Sequence, residues 1–282
     1  MWAWLTEPLQ YGFIRYAITV GMMVGILCSV VGSYLVVQRL SLLGDVISHA
    51  VLPGLVIANF WGFDLLLGAF LAGLLSTAVM TWIQSQSQVN ADSAMALTLV
   101  GFFALGVTLI TVLESQLDLR DLLFGDILGV VTADLWQTGA IALVILVLVK
   151  LFYKELLFLT FDPQAMQALG LPVHLLNLGL VSAITLTIIL GMRAVGVVLV
   201  IALLIGPPLT AYLLVKELHQ VMIFGGILGA IASISGIYLS YYLDWPSGPA
   251  IVLVVFTLFL GALLLNMSQA VFIDHGTSGG RR

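Results

Sequence analysis

Nine stretches of this chain are apolar for long enough to cross a lipid bilayer, and no other feature restricts the fold as much. They fall at about 13–37, 43–60, 65–83, 94–113, 135–153, 176–191, 195–215, 221–243 and 250–267. A spanning helix needs about 20 mostly apolar residues, because each residue advances the helix by only about 1.5 Å. The runs are continuous and do not alternate in polarity, which excludes a membrane β-barrel. Composition agrees: 61% of the residues are hydrophobic and 8% are charged, against roughly half and a quarter in a soluble domain. The expected fold class is all-α, a polytopic transmembrane helical bundle of about nine spans, held in membrane lipid as one domain over residues 1–267. Residues 268–282 form a polar tail, expected to be disordered or left over from expression. The one cysteine, Cys28, lies inside a span and has no partner for an intrachain disulfide. Residues 1–10 hold Glu7 and no basic residue, so the positive end of a cleavable signal peptide is missing.

Polar and breaking residues punctuate the spans. The longest interruption, 114–134, holds Glu114, Asp118, Asp121, Asp126 and Asp134 against Arg120 alone. Within it, 122–131 is too short to span and is expected to re-enter or lie at the interface. A second non-spanning segment, 154–176, carries helix signals: Asp162 to cap, Pro163 at the first position, Gly170 to end the helix and Pro172 to block its continuation. Pro53-Gly54 should loosen the second span, and Gly206-Pro207-Pro208 should break or kink the seventh. If the short 162–170 helix is cytoplasmic, that side holds Arg39, Lys150, Lys154, Lys216, Arg281 and Arg282, and the other holds Arg15, Arg120 and Arg193. That asymmetry favours an N-terminus outside and a C-terminus in the cytoplasm. The outer face then gathers most carboxylates, a field that concentrates cations, although outer loops are polar without any such role.

One stretch inside the apolar sequence carries chemistry. Residues 41–53 read S-L-L-G-D-V-I-S-H-A-V-L-P, with Asp45 and His49 four residues apart. On a helix that spacing stacks two side chains on one face, with Cβ atoms about 5–6 Å apart, so their tips can close on one divalent ion. Ser41 and Ser48 fall on or beside the same face. Spacing alone leaves a second reading open, in which Asp45 caps the second span and His49 is a core histidine bonded to a main-chain carbonyl. His174 and His219 fall in turns and His275 in the tail, where solvated surface roles suffice. Other chemistries lack their residues. There is no G-x-x-x-x-G-K-[ST] for a nucleotide, no H-E-x-x-H, no nucleophile elbow and no basic stripe for nucleic acid.

Five motifs, in order, resemble the manganese/zinc/iron permease family of ATP-binding-cassette importers. They are S-L-L-G-D-V-I-S-H-A-V-L-P-G at 41–54, L-F-G-D-I-L at 123–128, F-D-P through A-L-G at 161–170, the proline-broken 196–208, and D-W-P-S-G-P at 244–249 followed by I-V-L. The likeness covers about residues 17–265. It implies a cobalamin-importer-like (type II) permease fold in the cytoplasmic membrane of a bacterium, without ATPase activity of its own. It implies pairing with a second copy, a separate ATPase subunit, and an extracytoplasmic metal-binding protein docking outside. Asp45 and His49 match the family's metal-contacting pair. Asp162, Pro163, Gln164, Ala165, Ala168, Leu169 and Gly170 match its ATPase-coupling segment. Asp118, Asp121 and Asp126 are the candidates for contact with the binding protein. Asp92-Ser93 departs from the family pattern and takes no role.

The transported ion would be manganese, with zinc or iron next. Carboxylate, imidazole and water suit manganese together, whereas closed zinc sites favour thiolate and imidazole, and no thiolate lies near the pair. The S-H-A-V-L-P wording also resembles the manganese branch. Two other classes stand beside this one: a proton- or sodium-coupled carrier with Asp45 and His49 as a proton relay, and a membrane scaffold that transports nothing.

Overall fold

The computed structural model describes residues 6–114, 125 and 127–277. Among them are eleven α-helices and no strand. In chain order they are α1 (Gly12–Val37), α2 (Leu42–Trp61), α3 (Leu65–Gln86), α4 (Ala91–Val112), α5 (Thr132–Leu151), α6 (Tyr153–Phe161), α7 (Pro163–Ala168), α8 (Val173–Val195), α9 (Val197–Leu214), α10 (Leu218–Leu243) and α11 (Ser247–Thr277). All except α6 and α7 are long and apolar enough to span, so the described residues contain nine candidate spans.

The ends of the helices follow local chemistry. Asp64 caps α3 by accepting from the Leu66 and Leu67 amides at 2.8 and 3.2 Å. Gly62, at φ 70°, closes α2 in the left-handed region, and the Phe63 amide reaches back to the Ala58 carbonyl at 2.9 Å. Arg39 (φ 59°) closes α1 in the same way, with Leu40 donating to Leu35 at 2.8 Å. The segment after the fifth span, expected to hold one short helix, holds two. Phe152 ends α5, and α6 starts immediately as a separate nine-residue helix.

Helix α1 is the centre of the bundle, with 72% of its most apolar stretch buried in the chain. It packs against α5, α8, α9 and α10. Lipid tails are as apolar as leucine, so spans associate through close packing of small residues rather than through hydrophobic burial. Gly25 of α1 and Gly229 of α10 show this, since a Cβ on either would collide with the other's carbonyl. Gly54 of α2 and Gly68 of α3 form a second reciprocal pair.

The seventh span was expected to break or kink at Gly206-Pro207-Pro208. It does not break there: α9 runs as one helix through both prolines, and Gly196, φ 87°, separates it from α8. The packing around the prolines accounts for this. Pro208 has no N–H for the Leu204 carbonyl, and Gly32 of α1 lies so close that a Cβ there would overlap that oxygen. Gly225 of α10 closes on Pro208 from another side, its Cβ position 3.3 Å from the Pro208 Cα.

Asp118, Asp121 and Asp126 lie outside the described residues. Of that interruption, Gly125 (φ 58°) sits against the Val195–Gly196 backbone and Ile127 is buried beside α1. At the far end of α1, the Gln38 side-chain amide donates to the Thr160 hydroxyl of α6 at 3.2 Å. The turn between α1 and α2 therefore lies at the same end of the bundle as α6 and α7.

A candidate cation site on α2

Helix α2 starts at Leu42 with Ser41 as its cap residue, so Asp45 stands inside the first turn and does not cap. Four residues on, His49 lies on the same face. Its Nδ1 is 3.3 Å from the Asp45 Oδ1 and 3.0 Å from the Asp45 main-chain oxygen. The side chains are partly exposed, 34% for Asp45 and 22% for His49. Both lie near the end of the bundle that carries α7. From His49 to Trp61, the far end of α2, is about 18 Å at 1.5 Å per residue.

Two donors of one ion, each at about 2.1 Å, lie roughly 3 Å apart. The Nδ1–Oδ1 distance is close to that, so one ion can take both atoms. Nδ1 also lies within hydrogen-bond distance of the Asp45 main-chain oxygen, so one edge of the ring faces both oxygens of that residue. Ser48 is not part of this face. It is buried, and its hydroxyl donates to the Gly44 carbonyl at 2.8 Å. Among the described residues no group of three or more His, Cys, Asp or Glu side chains gathers. One chain thus offers two side-chain donors, whereas a transition metal takes four to six.

Sequence reasoning missed what covers the pair. Phe103 of α4 meets His49 edge to face, with ring centroids 5.4 Å apart and planes at 70°. One turn further on, Gly106 of α4 lies over Pro53: a Cβ there would be 2.8 Å from the Leu52 Cβ and 3.1 Å from the Pro53 Cδ. Neither residue carries a signal in an apolar helix, and only the packing of α4 on α2 reveals them.

The second candidate segment is α7. The Asp162 Oδ1 accepts from the Ala165 amide at 2.9 Å, Pro163 opens the helix, and Gly170 follows it at φ 75°. Met166 is fully buried, while Gln164 and Ala168 are exposed and Phe161 and Leu169 are 64% and 70% exposed. A short helix outside the spans is thus anchored by one side chain and flanked by bare apolar ones. At the start of α6, burial and the Glu217 carboxylate push the Tyr153 phenol upward, against a hydrogen bond from the His219 backbone that pulls it down. His219 itself is a surface residue, its Nδ1 3.3 Å from the Glu217 carboxylate.

A model of the ABC 3 transport family matches residues 10–266. The chain belongs to that family. Other members have names that state a cargo. The manganese transport system membrane protein MntC of Halalkalibacterium halodurans is 40% identical over 266 residues, which is 94% of this chain and 91% of that protein. The chelated iron transport system membrane protein YfeD of Yersinia pestis is 36% identical over 262 residues, 93% of this chain and 88% of that protein. Among solved structures, a chain of PsaBC from Streptococcus pneumoniae in complex with Fab superposes with a TM-score of 0.83 at 35% identity, covering 92% of this chain and 94% of its own. The cobalamin-importer-like bundle expected from the sequence is the architecture found. As an ABC 3 member the chain is a multi-pass permease subunit of an ABC metal importer.

Proposed function

We propose that this permease carries manganese into the cytoplasm, with zinc or iron as lesser cargo, and that Asp45 and His49 are its ligands in the path. The observation that carries this is the pairing of the Asp45 carboxylate with the His49 imidazole, 3.3 Å apart on a spanning helix. An ionisable pair inside a span is costly, and such pairs commonly mark an ion or substrate path; its oxygen–nitrogen donor set suits manganese. The names of relatives such as MntC support the same cargo. With only two donors per chain, a second copy across the axis, together with water, completes the shell. His49 binds only when neutral, so acid competes with the metal.

The remaining parts follow from this reading. The N-terminus is outside, α7 is cytoplasmic, and the membrane is the cytoplasmic membrane of a bacterium. A metal-loaded binding protein releases the ion at the outer face, where Asp118, Asp121 and Asp126 are its contacts. The ion descends along α2 to a pair that lies nearer the inner end. The exposed Phe161 and Leu169 beside α7 enter a groove of a separate ATPase, and Asp162, Pro163 and Gly170 hold that helix in shape, with Gln164, Ala165 and Ala168 on its body. Met166, buried beneath, links it to the spans.

The test is manganese uptake in cells or proteoliposomes by Asp45→Ala and His49→Ala proteins expressed at the normal level. Uptake should fall at least tenfold in each, as removal of one ligand from a two-donor site implies. Uptake at the normal rate in both variants sinks the ligand assignment. Uptake that continues without any ATPase subunit and collapses with an uncoupler would favour the proton-coupled carrier.

A further inference from the structure

We infer that Phe103 is a positioning residue for His49, and that the fit of Gly106 into the notch at Pro53 is what places it there. The inference rests on the reading of His49 as a metal ligand. Three contacts carry it. The Phe103 ring lies edge to face with the imidazole at 5.4 Å. Gly106 follows Phe103 by three residues, so both project from one face of α4, and a Cβ on Gly106 would be 2.8 Å from the Leu52 Cβ and 3.1 Å from the Pro53 Cδ. Pro53 in turn follows His49 by four residues and lies on its face of α2.

The geometry works as follows. Proline at 53 gives no N–H to the His49 carbonyl, which leaves a local gap in the helical ladder. Only a residue without a side chain can bring its backbone over that gap, and Gly106 does so. Its approach sets the height of α4 above α2, and that height sets where Phe103 touches the imidazole. Against Phe103 the ring cannot turn over freely, so Nδ1 stays on the Asp45 side. That is the orientation in which one imidazole nitrogen and one carboxylate oxygen can close on a single ion. A free ring would present its two nitrogens at random and bind more weakly.

The test uses the assembled transporter in proteoliposomes with Mn2+ as the probe, and separates KM from the maximal rate. Phe103→Ala should raise KM about tenfold, the range that loss of an orienting partner produces at metal sites, with the maximal rate within twofold. Phe103→Tyr keeps the ring and should restore KM. Gly106→Ala does not touch His49, yet it lifts α4 and should raise KM in the same direction. An unchanged KM in Phe103→Ala, or a Phe103→Tyr protein as impaired as the alanine variant, overturns the inference. A fall in maximal rate or yield alone, at constant KM, marks Phe103 as structural and also overturns it. His49→Ala, measured alongside, separates the two levels. If it transports normally the ligand reading has failed, and if it is inactive while Phe103→Ala keeps its KM, only the positioning role has failed.

Discussion

Two spanning helices carry proline in mid-course, α2 at Pro53 and α9 at Pro207 and Pro208, and their surroundings differ. Around α9 the prolines are buried and held from several sides: Gly32 of α1 covers the Leu204 oxygen, Gly225 of α10 closes on Pro208, and Val255 of α11 fills the space over Gly206. The Thr210 hydroxyl adds a hydrogen bond to the Gly206 carbonyl at 2.8 Å. Around α2 the proline is also buried, but the notch itself is covered by Gly106 of α4, a helix with only 17% of its most apolar stretch buried in the chain. The residues before the α9 prolines are aliphatic, whereas those before Pro53 include Asp45 and His49. Each proline removes one backbone donor, one in α2 and two in α9. A notch clamped on several sides is a rigid joint; at Pro53 the neighbouring Gly54 is held against Gly68 of α3, but the notch itself has only the thinly packed α4 over it, beside ionisable side chains, so it is the joint we expect to shift.

The sharpest way to break this contrast is to unseat the clamp on α9. In Gly32→Leu the new side chain meets the Leu204 main chain, which cannot swing aside as a side-chain tip would. We expect a loss of about 3 kcal/mol or more, seen as little or no monodisperse protein after extraction in detergent. Gly261→Leu is the control, since nothing lies within 4 Å of a Cβ there. Equal yields of the two variants would show that α9 is not clamped at all.

Restoring the missing donors probes the difference itself. Pro53→Ala returns an N–H to the His49 carbonyl and removes the notch under Gly106, so manganese uptake should fall about tenfold while the thermal midpoint holds or rises. Pro208→Ala makes the same chemical change at the clamped joint, and uptake should stay within about twofold. Equal effects on uptake would mean that the two prolines play one role, and the distinction between the joints would be lost.

Much of the bundle was readable in advance, because hydropathy over about 20 residues reports directly on what a bilayer demands. The short α7 was readable for another reason: Asp162, Pro163 and Gly170 act within a few residues of their own positions. The Asp45–His49 stacking belongs to this local class too. Long-range packing was not readable. The continuity of α9 through Pro207-Pro208 goes with the close approach of Gly32 of α1, far away in sequence, to the Leu204 carbonyl. Spacing placed Ser48 beside the pair, but its hydroxyl turned inward to a carbonyl of its own helix. Phe103 is one more apolar residue in an apolar run, and its role emerges only when α4 is laid on α2. Which of two meanings Asp45 had, cap or face residue, was open until the start of α2 at Leu42 was known.

The mildest test concerns the end of α9. The last carbonyls of a helix lack intrahelical donors, and in α9 the Leu213 oxygen accepts from the Asn266 side-chain amide of α11 at 3.0 Å. Asn266→Leu keeps the bulk and removes the donor. Interhelical hydrogen bonds in membranes contribute about 0.6 kcal/mol on average, so the thermal midpoint should fall by about 2 °C, near the limit of a careful melt. Uptake should not change, because the joint at Pro207-Pro208 remains held by glycine packing from α1 and α10. A large drop in uptake from so small a loss of stability would place the end of α9 among the moving parts, and α2 would no longer be the one proline helix poised to shift.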